Sequence, residues 1–143
     1  MGYFRLGDHT PGANVSVMLV AKRRRVRADQ VQIEEAQKAV CKQFGADFVP
    51  PLLDAKIGFA NSTAGQIPIN GLRNPPTIGT CGWYIWCGES FSDAPDFFEP
   101  RHTYHFYDEH HEVVRLLGLA PGWRFLLAGD YLDVWYDEKL LDV

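Results

Sequence analysis

The run from Gly79 to Glu89, Gly-Thr-Cys-Gly-Trp-Tyr-Ile-Trp-Cys-Gly-Glu, constrains this chain more than any other stretch. It is the most apolar and aromatic segment, and glycines close both ends. Trp83, Ile85 and Cys87 alternate with Tyr84 and Trp86, so polarity does not say which side faces inward. A strand apolar on both faces belongs in the middle of a sheet, covered above and below. At about 3.3 Å per residue, Cys81 and Cys87 stand roughly 20 Å apart along such a strand, beyond the reach of a disulfide. Both therefore read as reduced core thiols. Three cysteines in all, an odd number at unpatterned spacing, fit a reducing cytosol better than a secreted disulfide framework.

A second segment echoes the first. Gly82-Trp83 through Gly88-Glu89 recurs, one residue longer, as Gly122-Trp123 through Gly129-Asp130. Either a strand unit was duplicated, or Gly-Trp simply suits the start of any buried strand. Trp83 and Trp123 are both expected in the core.

Charge divides the chain unevenly. Residues 1–88 carry ten Lys/Arg and six Asp/Glu, whereas residues 89–143 carry four and twelve, a net of −8 for the second part. An acidic part of this kind disfavours nucleic acid and attracts basic proteins, or serves only solubility. No apolar run approaches the ~20 residues of a membrane helix, and Met1 to Ala13 lacks the apolar centre of a signal peptide. A chain of 143 residues is long enough for one well-buried domain.

Met1 to Ala13, with three glycines and a proline, reads as a flexible arm, and residues 14–143 as a single domain. Val15 to Lys22 has strand character, and Lys22 to Arg27 is the one basic cluster. Asp29 can cap a helix reaching Phe44, with Ile33, Ala36, Val40 and Phe44 as its buried stripe, Cys41 beside that stripe in the core, and Gly45 as its stop. Ala46 to Pro76 is proline-interrupted and irregular, with a short strand at Lys56 to Ala60 and a flexible loop at Asn61 to Gly65. Ser90 to Pro100 is acidic and aromatic. Asp108 can cap a short helix burying Val113, Val114 and Leu117, which Gly118 ends. Trp123 to Leu127 and Tyr131 to Tyr136 form a hairpin turned at Gly129-Asp130. The expected fold is α+β, a mainly antiparallel sheet with two helices packed on it.

Few residues assemble into chemistry. His102, His105, His110 and His111, with Asp108, Glu109 and Glu112 nearby, offer metal-ligand types, but their spacing matches no zinc motif. There is no Gly-x-Ser-x-Gly elbow, no cysteine in a nucleophile's setting, no Walker loop and no dinucleotide fingerprint. A metal-dependent enzyme built on the four histidines, and a ligand-binding adaptor using the loop around Asn61 to Gly71, stand as alternatives to a binding protein with no cofactor.

Cys81-Gly82-Trp83-Tyr84-Ile85-Trp86-Cys87-Gly88-Glu89, followed by Ser92-Asp93-Ala94-Pro95-Asp96, resembles the signature of the immunity protein 33 family of bacterial polymorphic toxin systems. The later order agrees: an apolar helix over Val113 to Leu117, a Pro121-Gly122 turn and a last strand through Val134. The resemblance covers about residues 77–141. It departs at Thr80-Cys81, where the family pattern has Asp-Ser, and at Tyr84, where an Arg commonly follows the Trp. The resemblance implies a cytoplasmic, non-catalytic protein that occludes a cognate toxin. If that toxin is basic, the acidic surface suits it, and the contact residues expected are Glu89, Asp93, Asp96, Phe97 and Phe98, with Asp130 and Asp133 next.

Overall fold

Gly79 and Gly88, both at positive φ, bracket a strand over Thr80–Cys87 in the computed structural model, which describes residues 29–143. The expected arm at Met1 to Ala13, the strand at Val15 to Lys22 and the basic cluster at Lys22 to Arg27 lie outside the described residues. The chain divides into two compact units, Met1–Glu35 and Ala36–Val143. Residues 29–35 of the first are helical.

The second unit is α+β. Its helices are α1 (residues 36–44, the part of the helical stretch 29–44 that falls in this unit), α2 (Thr103–Glu109) and the single turn α3 (His111–Val114). Its strands are β1 (Lys56–Phe59), β2 (Ile69–Arg73), β3 (Thr80–Cys87), β4 (Glu99–His102), β5 (Trp123–Ala128) and β6 (Tyr131–Tyr136). They form one sheet in the order β4-β1-β3-β2-β5-β6. Every pair is antiparallel except β1 with β3. The apolar run at β3 is thus central, as its two-sided pattern requires.

The two faces of β3 are covered differently. Cys81, Trp83, Ile85 and Cys87 face the helices. The Trp83 indole donates to the Leu117 carbonyl at 3.0 Å, and Phe59 of β1 meets Phe106 of α2 edge-on at 5.4 Å. Phe125 and Val134 continue this core across β5 and β6. Gly71 makes the layer fit: a Cβ there would overlap the Phe125 ring. Tyr84 and Trp86 point the other way, under the segment that follows β3.

Several expectations shift. The buried face of α1 is Gln37, Val40 and Cys41, with Phe44 half-buried and Ala36 exposed. The stripe turns by one residue because Gln37 finds partners inside, donating to Tyr107 Oη and the Val114 carbonyl, each at 3.0 Å. Gly45 does end the helix, at φ +76°. Asn61–Thr63 is a 3-10 turn rather than a free loop. Its buried Thr63 hydroxyl donates to the Ala60 carbonyl and accepts from the Cys87 amide. β2 lies where the sequence read as irregular. Asp108 is not a cap: edge strand β4 feeds α2 directly at Thr103, and the helical path breaks at His110 before α3. Val113, Val114 and Leu117 are buried as expected, and the β5–β6 hairpin turns at Gly129-Asp130. Trp123 is only half-buried, because it sits against the exposed Tyr136 at the sheet's end.

Candidate partner-binding face

Strand alternation places Tyr84 and Trp86 of β3, Asn70 and Leu72 of β2, Arg124 and Leu126 of β5, and Asp133 and Trp135 of β6 on the sheet face away from Trp83 and the helices. Register sets them in rows. Tyr84, Leu72, Arg124 and Trp135 form one, and Trp86, Asn70, Leu126 and Asp133 the next. Trp86 is buried, Trp135 and Asp133 are exposed, and the other five are half-buried.

At the β3 end of these rows lies an aromatic cluster. Phe98 meets Tyr84 at 5.1 Å and Trp86 at 6.2 Å. Phe91 meets Trp86 at 5.1 Å and Phe97 at 5.8 Å, and Phe97 meets Phe98 at 4.9 Å. The rings are edge-on, the arrangement their quadrupoles favour. Phe91 nevertheless remains 54% exposed. Gly58 on β1 admits the cluster, since a Cβ there would come 2.7 Å from Tyr84 Cδ1. A cleft of about 170 Å³ remains beside Phe98, between Gly58, Tyr84 and Pro100.

The start of the loop that carries these rings is fixed. Asn70 Nδ2 donates to the Gly88 carbonyl at 2.9 Å, tying β2 to the turn that launches residues 89–98. Within the loop, Ala94 N donates to Ser92 Oγ and Phe97 N to the Ala94 carbonyl, each at 3.1 Å. Glu89, Asp93 and Asp96 project from it exposed. At the other end of the rows, Arg124 pairs with Asp137 at 3.3 Å and lies over the Trp135 ring at 5.5 Å.

Of the residues expected to bind, Phe97 and Phe98 join the aromatic cluster, and Glu89, Asp93 and Asp96 are exposed on the segment that carries it. Asp133 shares a row with Trp86 but lies three strand spacings away, roughly 14 Å. Asp130 occupies the β5–β6 turn, at the same end of the sheet as Glu89. The expectation omitted Tyr84, Trp86, Leu126 and Trp135. The signal for them was the period-two pattern of β3 and β6, once the inward face was known.

The histidines do not converge. His110 is held between Phe59 and Phe106, at 4.7 and 4.5 Å, and desolvation pushes its pKa down. His102 and His105 lie around Tyr104. Among the described residues no three His, Cys, Asp or Glu side chains are grouped to hold a metal ion. The stretch proposed for an adaptor loop, Asn61 to Gly71, is largely the 3-10 turn and the start of β2.

The second unit carries eight Lys/Arg against fourteen Asp/Glu, a net of −6. Fold and site together define a small acidic α+β domain that presents one face of its sheet, with an aromatic cluster at one end. The chain belongs to the Imm33-like domain family, whose model matches residues 36–137. No curated protein and no solved structure matches it. Among the described residues no helix is long and apolar enough to cross a membrane.

Proposed function

We propose that this protein neutralises a cognate bacterial toxin in the cytoplasm of the producing cell, by occluding it rather than by catalysis. Membership of an immunity-protein family supports the role. The single observation that carries the choice of surface is Phe91. It is more than half exposed, yet packed on Trp86 and Phe98, and the segment that carries it also carries the exposed Glu89, Asp93 and Asp96. Aromatic anchors supply most of the energy of protein interfaces, and surrounding charge sets the rate and the choice of partner. Phe97 and Phe98 complete the anchor. Asp130 and Asp133 extend the acidic field toward β6. The partner this face fits is a basic protein domain rather than nucleic acid.

The test is affinity capture of the tagged protein from its host's lysate at low and high salt, read by mass spectrometry. One stoichiometric, salt-sensitive partner with a basic domain is expected. It should be lost when Asp93→Lys and Asp96→Lys are combined in a variant that still folds. Capture indifferent to that reversal would refute the assignment of this face.

A further inference from the structure

Arg73, the last residue of β2, is 2% exposed and has no carboxylate partner among the described residues. Its Nε donates to the Cys81 carbonyl at 3.0 Å, and its Nη1 to the carbonyls of Val49 at 2.5 Å and Leu119 at 2.7 Å. Its Cζ lies 5.6 Å from the Trp83 ring centroid. Nη2 has no acceptor among the described residues and is not sealed from solvent. The groups whose fields act on the guanidinium are Cys81, Tyr107 and Cys41. Burial raises the pKa of both thiols, so they bring no negative charge at neutral pH. A buried cation held by carbonyl dipoles and one indole face, with no countercharge, carries a desolvation cost that an incoming anion would offset.

Arg73 lines a half-open cavity of about 420 Å³, within the range of small-ligand pockets. Cys81 stands beside it, and the walls are apolar: Pro50, Pro51, Leu52 and Pro76. Thr77 and Thr80 also line it, and their hydroxyls share one hydrogen bond at 2.8 Å. That bond consumes one of the two hydroxyl hydrogens, so a second donor remains. Asp54 is the one acid in the lining; it is exposed and makes no ion pair with Arg73. The cavity opens at the Thr80 end of β3, roughly 23 Å along the strand from Cys87, after which the segment bearing Phe91 begins; Thr80 is the one residue it shares with the cleft beside Phe98.

We propose that this cavity is a binding site for a carboxylate attached to a short aliphatic body. Nη2 of Arg73 takes the carboxylate, a threonine hydroxyl supports it, and the prolines and Leu52 cover the hydrocarbon. A free branched-chain acid and the C-terminal carboxylate of a peptide ending in an aliphatic residue share this chemistry.

The experiment is a two-dimensional amide NMR titration of the full chain with three probes. They are isovalerate, an acetylated tripeptide ending in leucine as the free acid, and the same tripeptide as its amide. Saturable shifts confined to Val49–Ala55 and Thr77–Cys81 are expected with at least one acid and not with the amide. Isovalerate alone would assign a free acid, and the tripeptide acid alone a chain terminus. Asp54→Asn removes a like charge and should tighten binding about threefold at low salt. Arg73→Lys keeps a cation but loses the fork and should abolish the saturable shifts. Because that variant can fail to fold, Thr80→Val, which removes a hydroxyl at the rim, serves as a second and should weaken binding. Absence of localised shifts with either acid at tens of millimolar, or equal shifts with the amide, would overturn the proposal.

Discussion

The Trp83 indole nitrogen on the central strand donates to the carbonyl of Leu117, just beyond α3, at 3.0 Å. Both residues are fully buried. This bond fixes the helical layer to the sheet at one point. Trp83→Phe keeps an aromatic ring but leaves that carbonyl unsatisfied by the indole and opens space beside it. A loss of about 2 kcal/mol is expected in urea unfolding, with the m-value unchanged.

Gly71→Ala should be destabilising although β2 has ordinary strand geometry there. The added methyl meets the Phe125 ring, and overpacking of this kind costs roughly 1–3 kcal/mol. Combining it with Phe125→Leu should recover part of the loss, a coupling that a double-mutant cycle reads directly. Simple additivity would place the Gly71 effect elsewhere.

His110 makes stability depend on pH. Desolvation lowers its pKa in the folded protein, opposed by Glu112 and Glu109 and assisted by Arg101. The unfolded chain therefore takes up the proton first. The contribution of His110 is fully present above the unfolded value of about 6.5 and is lost as pH falls through that value toward the folded one. The melting temperature should drop over that window, and His110→Gln should flatten the slope. A variant with the wild-type slope would show that other groups carry it.

All three cysteines of the chain are buried and unpaired, and burial raises each thiol's pKa. A thiol reagent should label none of them within minutes in the native protein and all three in denaturant. Rapid native labelling of one would mark a local opening, and mass mapping would show where.

Phe91→Ser should lower the melting temperature only slightly, since more than half of the residue is already exposed, while weakening partner binding at least about tenfold. Trp86→Ala, by contrast, should lower stability and binding together. Calorimetry of binding beside thermal melts separates the two outcomes.

The strands most legible in sequence were those whose own residues define them. The Gly-Trp boundaries and two-sided apolarity of β3 need no tertiary context, nor does the two-residue turn of the β5–β6 hairpin. β2 was not legible. Ile-Asn-Gly-Leu-Arg reads as part of an irregular stretch, and it becomes a strand because β3 and β5 pair with it on both sides and because Phe125 needs the space above Gly71. The buried stripe of α1 was misplaced by one residue because Gln37 looked polar and outward, and only Tyr107 and Val114, some seventy residues away, give it a reason to be inside. At the candidate face, the carboxylates and Phe97-Phe98 were visible as composition. Trp83 was expected in the core, where it lies, but that Trp86 joins the aromatic cluster was not legible, because β3 is apolar on both sides. Arg73 carried no sequence signal, since its setting is built from carbonyls of Val49, Cys81 and Leu119.

The place of β2 in the sheet also bears on how the chain is made. β2 is paired on one side by β3, which follows within a few residues, and on the other by β5, which follows some fifty residues later. During synthesis at about 5–20 residues per second, that second edge stays bare for roughly 2–10 s after β2 leaves the ribosome. The nascent protein thus passes through a stage in which an open strand edge awaits the final hairpin. Slowing translation between residues 74 and 122 would lengthen that stage, whereas supplying the 123–136 hairpin early would close it.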